Sequence, residues 1–180
     1  MNIQIISKKT KNLTDKEISI MNNARIKEYG KGSSIDFKKE DSKGEFIFVK
    51  DNNKILAFGM MKPVKVELNG KKYEILGIGR GMALEKGKGY GRALNEARIS
   101  RLKKLKKTGV AFTSEKNIGF FKKVGYKTER NGIRRFLYKN PKGELIKDND
   151  GHMVYYEGKD KLINKILSGK ALAYVNVPFW

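Results

Sequence analysis

The sequence contains no cysteine, one histidine and three prolines in 180 residues. Without cysteine it can form neither a disulfide nor a thiolate metal site, and it has no cysteine nucleophile. The single histidine, His152, excludes a metal centre built from several histidines. No apolar run reaches the roughly 18 residues of a membrane-spanning helix, and no signal-peptide pattern opens the chain. We therefore expect a cytoplasmic protein with no bound metal and no membrane segment.

The composition is that of a folded protein. Hydrophobic residues make up 39% of the chain and charged residues 33%, so disorder is not expected. A length of 180 residues suits one domain with a hydrophobic core. Because no repeat or low-complexity linker interrupts the chain, we expect a single domain over residues 1–180.

The net charge is strongly positive, at +21, from 40 Lys and Arg against 19 Asp and Glu. One interpretation is an acidic partner such as nucleic acid. The other is a lysine-rich composition combined with an anionic cofactor. The basic residues are spread along the whole chain, which favours the second interpretation and leaves RNA binding as the alternative.

A glycine-rich basic turn, Lys86-Gly87-Lys88-Gly89-Tyr90-Gly91-Arg92, joins a predicted strand over 73–84 to a predicted helix over 92–107. Such a turn can direct several backbone N–H groups and the positive end of a helix dipole at a phosphate. Glycine lets the backbone approach the ligand closely, and the lysines and arginine add positive charge. The turn therefore predicts a phosphate-bearing ligand.

The spacing of the turn restricts the ligand class. Its glycines read G-x-G-x-G, one residue short of the dinucleotide fingerprint, and Lys86 stands where a P-loop needs its second glycine. Lys86, Gly89 and Gly91 instead fit [R/Q/K]-x-x-G-x-[G/A]. Downstream, after a predicted strand over 110–113, Asn117 to Tyr126 fits N-x-x-x-[YF]-x-x-x-G-[FY]. In this order, the two patterns resemble the GNAT superfamily of acyl-CoA N-acyltransferases.

The resemblance implies an α/β fold with a central mixed, mostly antiparallel sheet flanked by helices. It also implies acetyl-CoA as cosubstrate, with the turn around the pyrophosphate and the strand end pairing with the pantetheine arm. Asn117 is then a cofactor contact, and Phe121 occupies the position near the thioester. The cofactor-binding residues so implied are Gly81, Met82, Ala83, Lys86, Gly87, Lys88, Gly89, Tyr90, Gly91, Arg92, Asn117 and Phe121.

The sequence specifies the catalytic groups less well than the cofactor-binding residues. The family commonly uses a tyrosine to protonate the leaving thiolate, and Phe121 at that position has no proton to give. For the general base we select Glu74, on the strand where the family often keeps it, with Glu45, Glu67 and Asp36 as rivals. His152 is a further candidate, but a lone histidine in a turn is more often structural or exposed.

Two further patterns concern packing. Gly77, Gly79 and Gly81 alternate along the strand before the turn, which predicts a face that another chain or a ligand can approach closely. Trp180 at the apolar end of the sequence is expected to pack against the protein. A resemblance to aminoglycoside 2′-N-acetyltransferases rests on the turn Asp148 to Gly151 and on Trp180, and it implies a substrate contact for Trp180.

Together these patterns predict an N-acyltransferase, most simply an acetyltransferase, that moves the acyl group to a primary amine by direct attack. The acceptor class stays open between a small molecule, a peptide and an aminoacyl-RNA. The alternatives are a noncatalytic CoA-binding relative, favoured by Phe121, and a basic RNA-binding protein, favoured by the net charge.

Overall fold

The computed structural model describes residues 2–178 and 180. The strands are β1 (Ile3–Lys9), β2 (Glu45–Asp51), β3 (Lys54–Leu68), β4 (Lys71–Ala83), β5 (Gly109–Thr113), β6 (Lys127–Glu129), β7 (Phe136–Lys139), β8 (Leu145–Ile146), β9 (His152–Tyr156) and β10 (Ala173–Val175). The helices are α1 (Asp15–Tyr29), α2 (Phe37–Glu40), α3 (Tyr90–Leu105), α4 (Glu115–Val124) and α5 (Leu162–Ser168). Over the described ranges, none of these helices is long and apolar enough to span a bilayer.

The chain forms two compact units. Unit 1 comprises the described residues up to Lys62 together with Gly79–Ala97, and unit 2 comprises Pro63–Ile78 and Arg98–Trp180. Strands β3 and β4 and helix α3 each contribute residues to both units. The expectation of one domain over residues 1–180 remains a prediction.

Unit 1 is built on antiparallel pairing of β1 with β2 and of β2 with β3. Its core is aromatic, because Phe37, Phe46, Phe48 and Phe58 are all fully buried. Helix α1 begins with a capping box, which the sequence Thr14-Asp15-Lys16-Glu17 predicts. The N–H of Glu17 donates to Oγ1 of Thr14 at 3.2 Å, and the N–H of Thr14 donates to Oε2 of Glu17 at 3.0 Å.

Unit 2 contains a mixed sheet with the strand order β6-β9-β5-β4-β3-β10-β7-β8. Strand β5 pairs parallel with β4, and β7 pairs parallel with β10. Strand β9 pairs antiparallel with both β5 and β6, and β10 pairs antiparallel with β3. A mixed, mostly antiparallel sheet with flanking helices confirms the predicted fold class.

The dipeptide Asn69-Gly70 predicts a two-residue hairpin turn, and the structure confirms it. Asn69 and Gly70 have φ of 51° and 74°, so both central residues of the β3–β4 hairpin are left-handed, as a type I′ turn requires. Pro63 is exposed within β3, between the residues paired with β2 and those paired with β10. A proline cannot donate to a ladder, so it fits a position outside both of these paired stretches.

Several element boundaries differ from the prediction. Strand β1, which the sequence predicts over 1–6, continues to Lys9, and α3 begins at Tyr90 rather than at Arg92. The strand predicted over 134–139 begins only at Phe136, because Gly132–Arg135 forms a 3-10 turn. His152 is not in a turn: it is the first residue of β9 and is buried.

Candidate cofactor-binding site

The end of β4 leads directly into the glycine turn. The N–H of Leu84 donates to the carbonyl of Leu56 at 2.8 Å, which holds the strand end against β3. Gly81 is exposed, and Met82 and Ala83 are partly exposed. The predicted pantetheine-pairing residues therefore lie on an accessible stretch of strand.

The turn has the backbone conformation that glycine permits. Gly87 and Gly89 have φ of 78° and 80°, and an added Cβ on either would meet no atom within 4 Å. Open space at these positions leaves room for a ligand against the backbone. Helix α3 starts at the next residue, Tyr90, and the N–H of Ala93 donates to the carbonyl of Gly89 at 3.0 Å. The first N–H groups of α3 thus follow the exposed turn immediately, as an anion site at a helix N-terminus needs.

Two cations of the turn are held by carboxylates. Nζ of Lys86 lies 2.8 Å from Oε1 of Glu28 on α1, and Nε of Arg92 lies 2.8 Å from Oε1 of Glu96. Both pairs are exposed, so each contributes only a few tenths of a kcal/mol, up to about 1 kcal/mol. A phosphate group that binds Lys86 or Arg92 can therefore displace the carboxylate for a loss of no more than about 1 kcal/mol. Lys88 between them is also exposed.

A cavity of about 540 Å³ borders the turn within unit 1. Its apolar lining comes from Ile20 and Ala24 on α1 and from Met82 and Leu84 at the end of β4. Its polar lining comes from Asn23, Lys27, Glu28 and Lys86. The volume is in the range of small-molecule and cofactor sites, and the mixed lining suits an amphipathic ligand.

Arg80 was missed by the sequence analysis. Its φ is 54° although it lies inside β4. The regular alternation of side chains, from which the pattern of Gly77, Gly79 and Gly81 was interpreted, is therefore interrupted at Arg80. Its Nε donates to the fully buried carboxylate of Asp41 at 3.1 Å, and its Nη2 donates to Glu40 at 3.2 Å. Asp41 also accepts from Lys62 at 2.9 Å. Two cations around one buried carboxylate hold Arg80 in its strained conformation.

The two predicted cofactor contacts further along the chain lie on α4 in unit 2. Asn117 is partly buried, and its Nδ2 donates to Oγ1 of Thr113 at 3.1 Å. The ring of Phe121 packs edge-on against Phe120 at 5.3 Å and against Tyr126 at 5.7 Å between centroids. Phe121 therefore offers an apolar surface only.

Tyr126 does not replace the absent tyrosine. It is buried, and burial raises its pKa to about 12 despite the opposing charge of Arg98. Its hydroxyl has no hydrogen-bond partner among the described residues. A phenol this well shielded serves as part of the hydrophobic core.

The predicted base, Glu74, is exposed on β4 and forms an ion pair with Lys107 at 3.1 Å. Among its rivals, Asp36 caps α2 by accepting the N–H of Lys39 at 3.2 Å.

His152 has a structural position: its Nδ1 accepts the N–H of Asn131 at 3.0 Å, and its Nε2 lies 2.8 Å from Glu115.

Trp180 packs on the face that the alternating glycines open at Gly77. A Cβ on Gly77 would lie 2.6 Å from the indole ring, and Nε1 of Trp180 donates to the carbonyl of Val110 at 2.8 Å. The ring also contacts Phe112 at 5.8 Å between centroids. The packing predicted for Trp180 is thus present. At Gly77 the group that approaches the strand closely is the indole ring of the same chain.

The sequence matches the acetyltransferase (GNAT) family over residues 15–126. The chain belongs to this family. The matched region contains α1, the end of β4, the glycine turn and Asn117. Membership of this family supports an acyl-CoA N-acyltransferase that uses acetyl-CoA as its cosubstrate.

Solved structures share the GNAT fold at low sequence identity. The Escherichia coli GNAT family N-acetyltransferase YhbS, in complex with CoA, is 13% identical, with a TM-score of 0.57 over 97% of this chain and 89% of that one. The E. coli ribosomal-protein-S18-alanine N-acetyltransferase is 16% identical, with a TM-score of 0.52 over 86% and 92%. A probable N-acyltransferase of Enterococcus faecalis is 16% identical, with a TM-score of 0.58 over 74% of this chain, which spans only 33% of that protein. No curated protein sequence matches the chain. The resemblance to aminoglycoside 2′-N-acetyltransferases finds no support in these comparisons.

Proposed function

We propose that this GNAT protein transfers the acetyl group of acetyl-CoA to a primary amine by direct attack on the thioester. The observation that carries the proposal is the exposed turn in which Gly87 and Gly89, both at positive φ, precede the first turn of α3. This arrangement can present backbone N–H groups and a helix N-terminus to a pyrophosphate.

Each part of the cofactor has a proposed partner. The pyrophosphate lies along the turn from Lys86 to Arg92, where it replaces Glu28 and Glu96 as the partner of the two cations. The pantetheine arm pairs with the backbone of Gly81 to Ala83. Asn117 and Phe121 remain predicted cofactor contacts on the basis of the family pattern.

The chemistry needs one proton removed and one supplied. The attacking nitrogen must be neutral to form a bond with the thioester carbon, and the C–S bond then breaks to release the thiolate. We retain Glu74 as the proposed base, which requires its release from Lys107 or relay through water. Phe121 cannot protonate the thiolate, so water or another hydroxyl has that role.

The acceptor is a small molecule, a peptide or an aminoacyl-RNA, and Trp180 remains its predicted contact. The strongest competing function is a noncatalytic CoA-binding relative, because Phe121 has no proton to give and burial raises the pKa of the neighbouring Tyr126 to about 12. RNA binding is the competing function that the net charge of +21 favours.

Release of free thiol from acetyl-CoA, measured over a panel of amines, tests the proposal. We expect turnover with at least one amine, and a loss of about 100-fold in kcat for Glu74→Gln with a changed pH profile. Lys107→Gln frees Glu74 from its ion pair, so it is the matched control and should retain activity. Saturable binding of acetyl-CoA without turnover on any amine would support the noncatalytic relative instead.

A further inference from the structure

A second cavity lies in unit 2, in the connection between β6 and β7. It has a volume of about 440 Å³ and is lined by three arginines within six residues: Arg130, Arg134 and Arg135. The other lining residues are Glu129, Asn131, Gly132 and Leu167. None of these residues belongs to the proposed cofactor site.

The backbone of this connection is held at several points. The N–H of Asn131 donates to Nδ1 of His152 at 3.0 Å, and the N–H of Ile133 donates to the carbonyl of Gly151 at 3.3 Å. Gly132 is buried so tightly that a Cβ would lie 2.5 Å from Cβ of Met153. The arginines on either side of Gly132 therefore start from a fixed backbone, which lowers the entropic cost of ligand binding.

Each guanidinium is also oriented by a contact at one of its nitrogens. Arg130 donates through Nη2 to Glu115 at 2.8 Å, and Arg134 donates through Nε to the carbonyl of Asn149 at 2.8 Å. Arg135 donates through Nη2 to the carbonyls of Ile166 and Gly169 at the end of α5. A guanidinium carries five N–H donors, so these bonds orient the side chains and leave donors for a ligand.

Arg135 gives the strongest indication. Its Nε is buried and has no hydrogen-bond partner among the described residues. A buried donor of a charged group without a partner is costly, so this guanidinium of the cavity lining has donor capacity that the described residues do not use.

The charges around the cavity favour an anion. Its lining contains three arginines and one carboxylate, Glu129. Unit 2 as a whole carries 23 Lys and Arg against 9 Asp and Glu, so most of the positive excess of the chain belongs to this unit. Arginine forks match phosphate oxygens in pairs, which lysines cannot do.

We propose that Arg130, Arg134 and Arg135 form a second anion site, separate from the acetyl-CoA site, that binds a phosphate group. The phosphate belongs either to a small phosphorylated molecule or to the backbone of a nucleic acid. In both cases the ligand is recognised by the guanidinium forks that line the cavity.

The test compares two double variants that lose the same charge. Arg130→Gln with Arg134→Gln removes two forks from the cavity and keeps Arg135, which holds α5. Lys139→Gln with Lys142→Gln removes two exposed lysines of the same unit that do not line the cavity. Calorimetry measures binding of inorganic phosphate, of a ten-residue oligouridylate and of acetyl-CoA to each, and thermal melting checks that both variants fold.

We expect the arginine variant to bind phosphate or oligouridylate at least about tenfold more weakly, the lysine variant to bind within about twofold of wild type, and acetyl-CoA binding to be unchanged in both. If oligouridylate binds more tightly than inorganic phosphate, the phosphate group belongs to a nucleic-acid backbone. If the two bind with equal affinity per phosphate group, it belongs to a small phosphorylated molecule. Equal losses in the two variants would show that only net charge acts. Loss of acetyl-CoA binding in the arginine variant alone would show that the cavity belongs to the cofactor site. Either result overturns the proposal.

Discussion

The ammonium nitrogen of Lys86 lies 2.8 Å from a carboxylate oxygen of Glu28, so α1 neutralises the first cation of the glycine turn. This pair also contributes two of the residues that line the cavity beside the turn. If a phosphate of acetyl-CoA binds Lys86, Glu28 competes with the cofactor for the same ammonium group.

Glu28→Gln should therefore bind acetyl-CoA about two- to fivefold more tightly, because the ligand no longer displaces an exposed ion pair. Calorimetry at low and moderate salt measures the change, which should shrink as salt screens the pair. Glu85→Gln is the matched control: Glu85 is about as exposed as Glu28, at 43% against 42%, but it pairs with Lys54 outside the turn. An equal gain in the two variants would show a long-range charge effect rather than competition at Lys86.

The second prediction concerns acid stability through Glu17. Burial alone would raise its pKa, but hydrogen bonds from Lys8, from the N–H of Thr14 and from Lys50 lower the pKa to about 2. Because the folded-state pKa lies below the ordinary value near 4.5, the stabilisation is present above that pH and is lost as the pH falls towards 2.

Glu17→Gln should accordingly lower the free energy of unfolding by about 2 kcal/mol at pH 7 and by much less at pH 2. Denaturant unfolding at the two pH values measures this. Asp15→Asn changes an exposed carboxylate in the same first turn of α1 and should have little effect at either pH. A Glu17→Gln effect that does not change with pH would contradict the ion-pair account.

The third prediction is a coupling between Gly77 and Trp180. Gly77→Ala places a methyl 2.6 Å from the indole ring, and Trp180→Ala removes the ring and the hydrogen bond to Val110. Each single change should cost about 2–4 kcal/mol of stability, but Gly77→Ala should cost less than about 1 kcal/mol in the Trp180→Ala background. Denaturant unfolding of the four proteins gives the coupling. Additive losses would show that the indole does not pack on Gly77 in solution.

The fourth prediction separates Tyr126 from catalysis. Tyr126→Phe removes a buried hydroxyl that has no partner among the described residues, so stability should stay the same or rise by about 1 kcal/mol. Since burial raises the Tyr126 pKa to about 12, wild type should lose stability relative to this variant between about pH 10 and pH 12. kcat near neutral pH should be unchanged. A tenfold or greater fall in kcat would show that Tyr126 protonates the leaving thiolate, a role that Phe121 cannot have.

The features predicted correctly from the sequence are mainly local ones. The Thr14–Glu17 capping box and the Asn69–Gly70 hairpin depend on residues next to one another, and their chemistry has few alternatives. The glycine turn is local in the same sense, and its link to a family came from the spacing of Lys86, Gly89 and Gly91.

The features missed depend on residues far apart in the sequence. Arg80 and Asp41 are separated by 39 residues, and nothing near either one predicts a buried pair. The positive φ of Arg80, which accompanies that pairing, was likewise not predicted from its neighbours. Likewise, the packing of Trp180 was expected, but its partner Gly77 was identified only by the fold. The alternation of glycines in the sequence predicts which face of the strand is open, but it does not predict which residue packs on that face.

The most direct test of the cofactor site compares glutamate at two glycines of equal geometry. Gly89 and Gly70 have φ of 80° and 74°, and a Cβ on either meets no atom within 4 Å, so strain and added charge are matched. We would titrate wild type, Gly89→Glu and Gly70→Glu with acetyl-CoA by calorimetry at about 150 mM salt, with ATP as an anionic control. We expect one-to-one binding of acetyl-CoA, well above ATP, in wild type and Gly70→Glu, and its loss in Gly89→Glu. Equal binding by all three proteins, or equal weak binding of acetyl-CoA and ATP, would contradict a cofactor site at the turn.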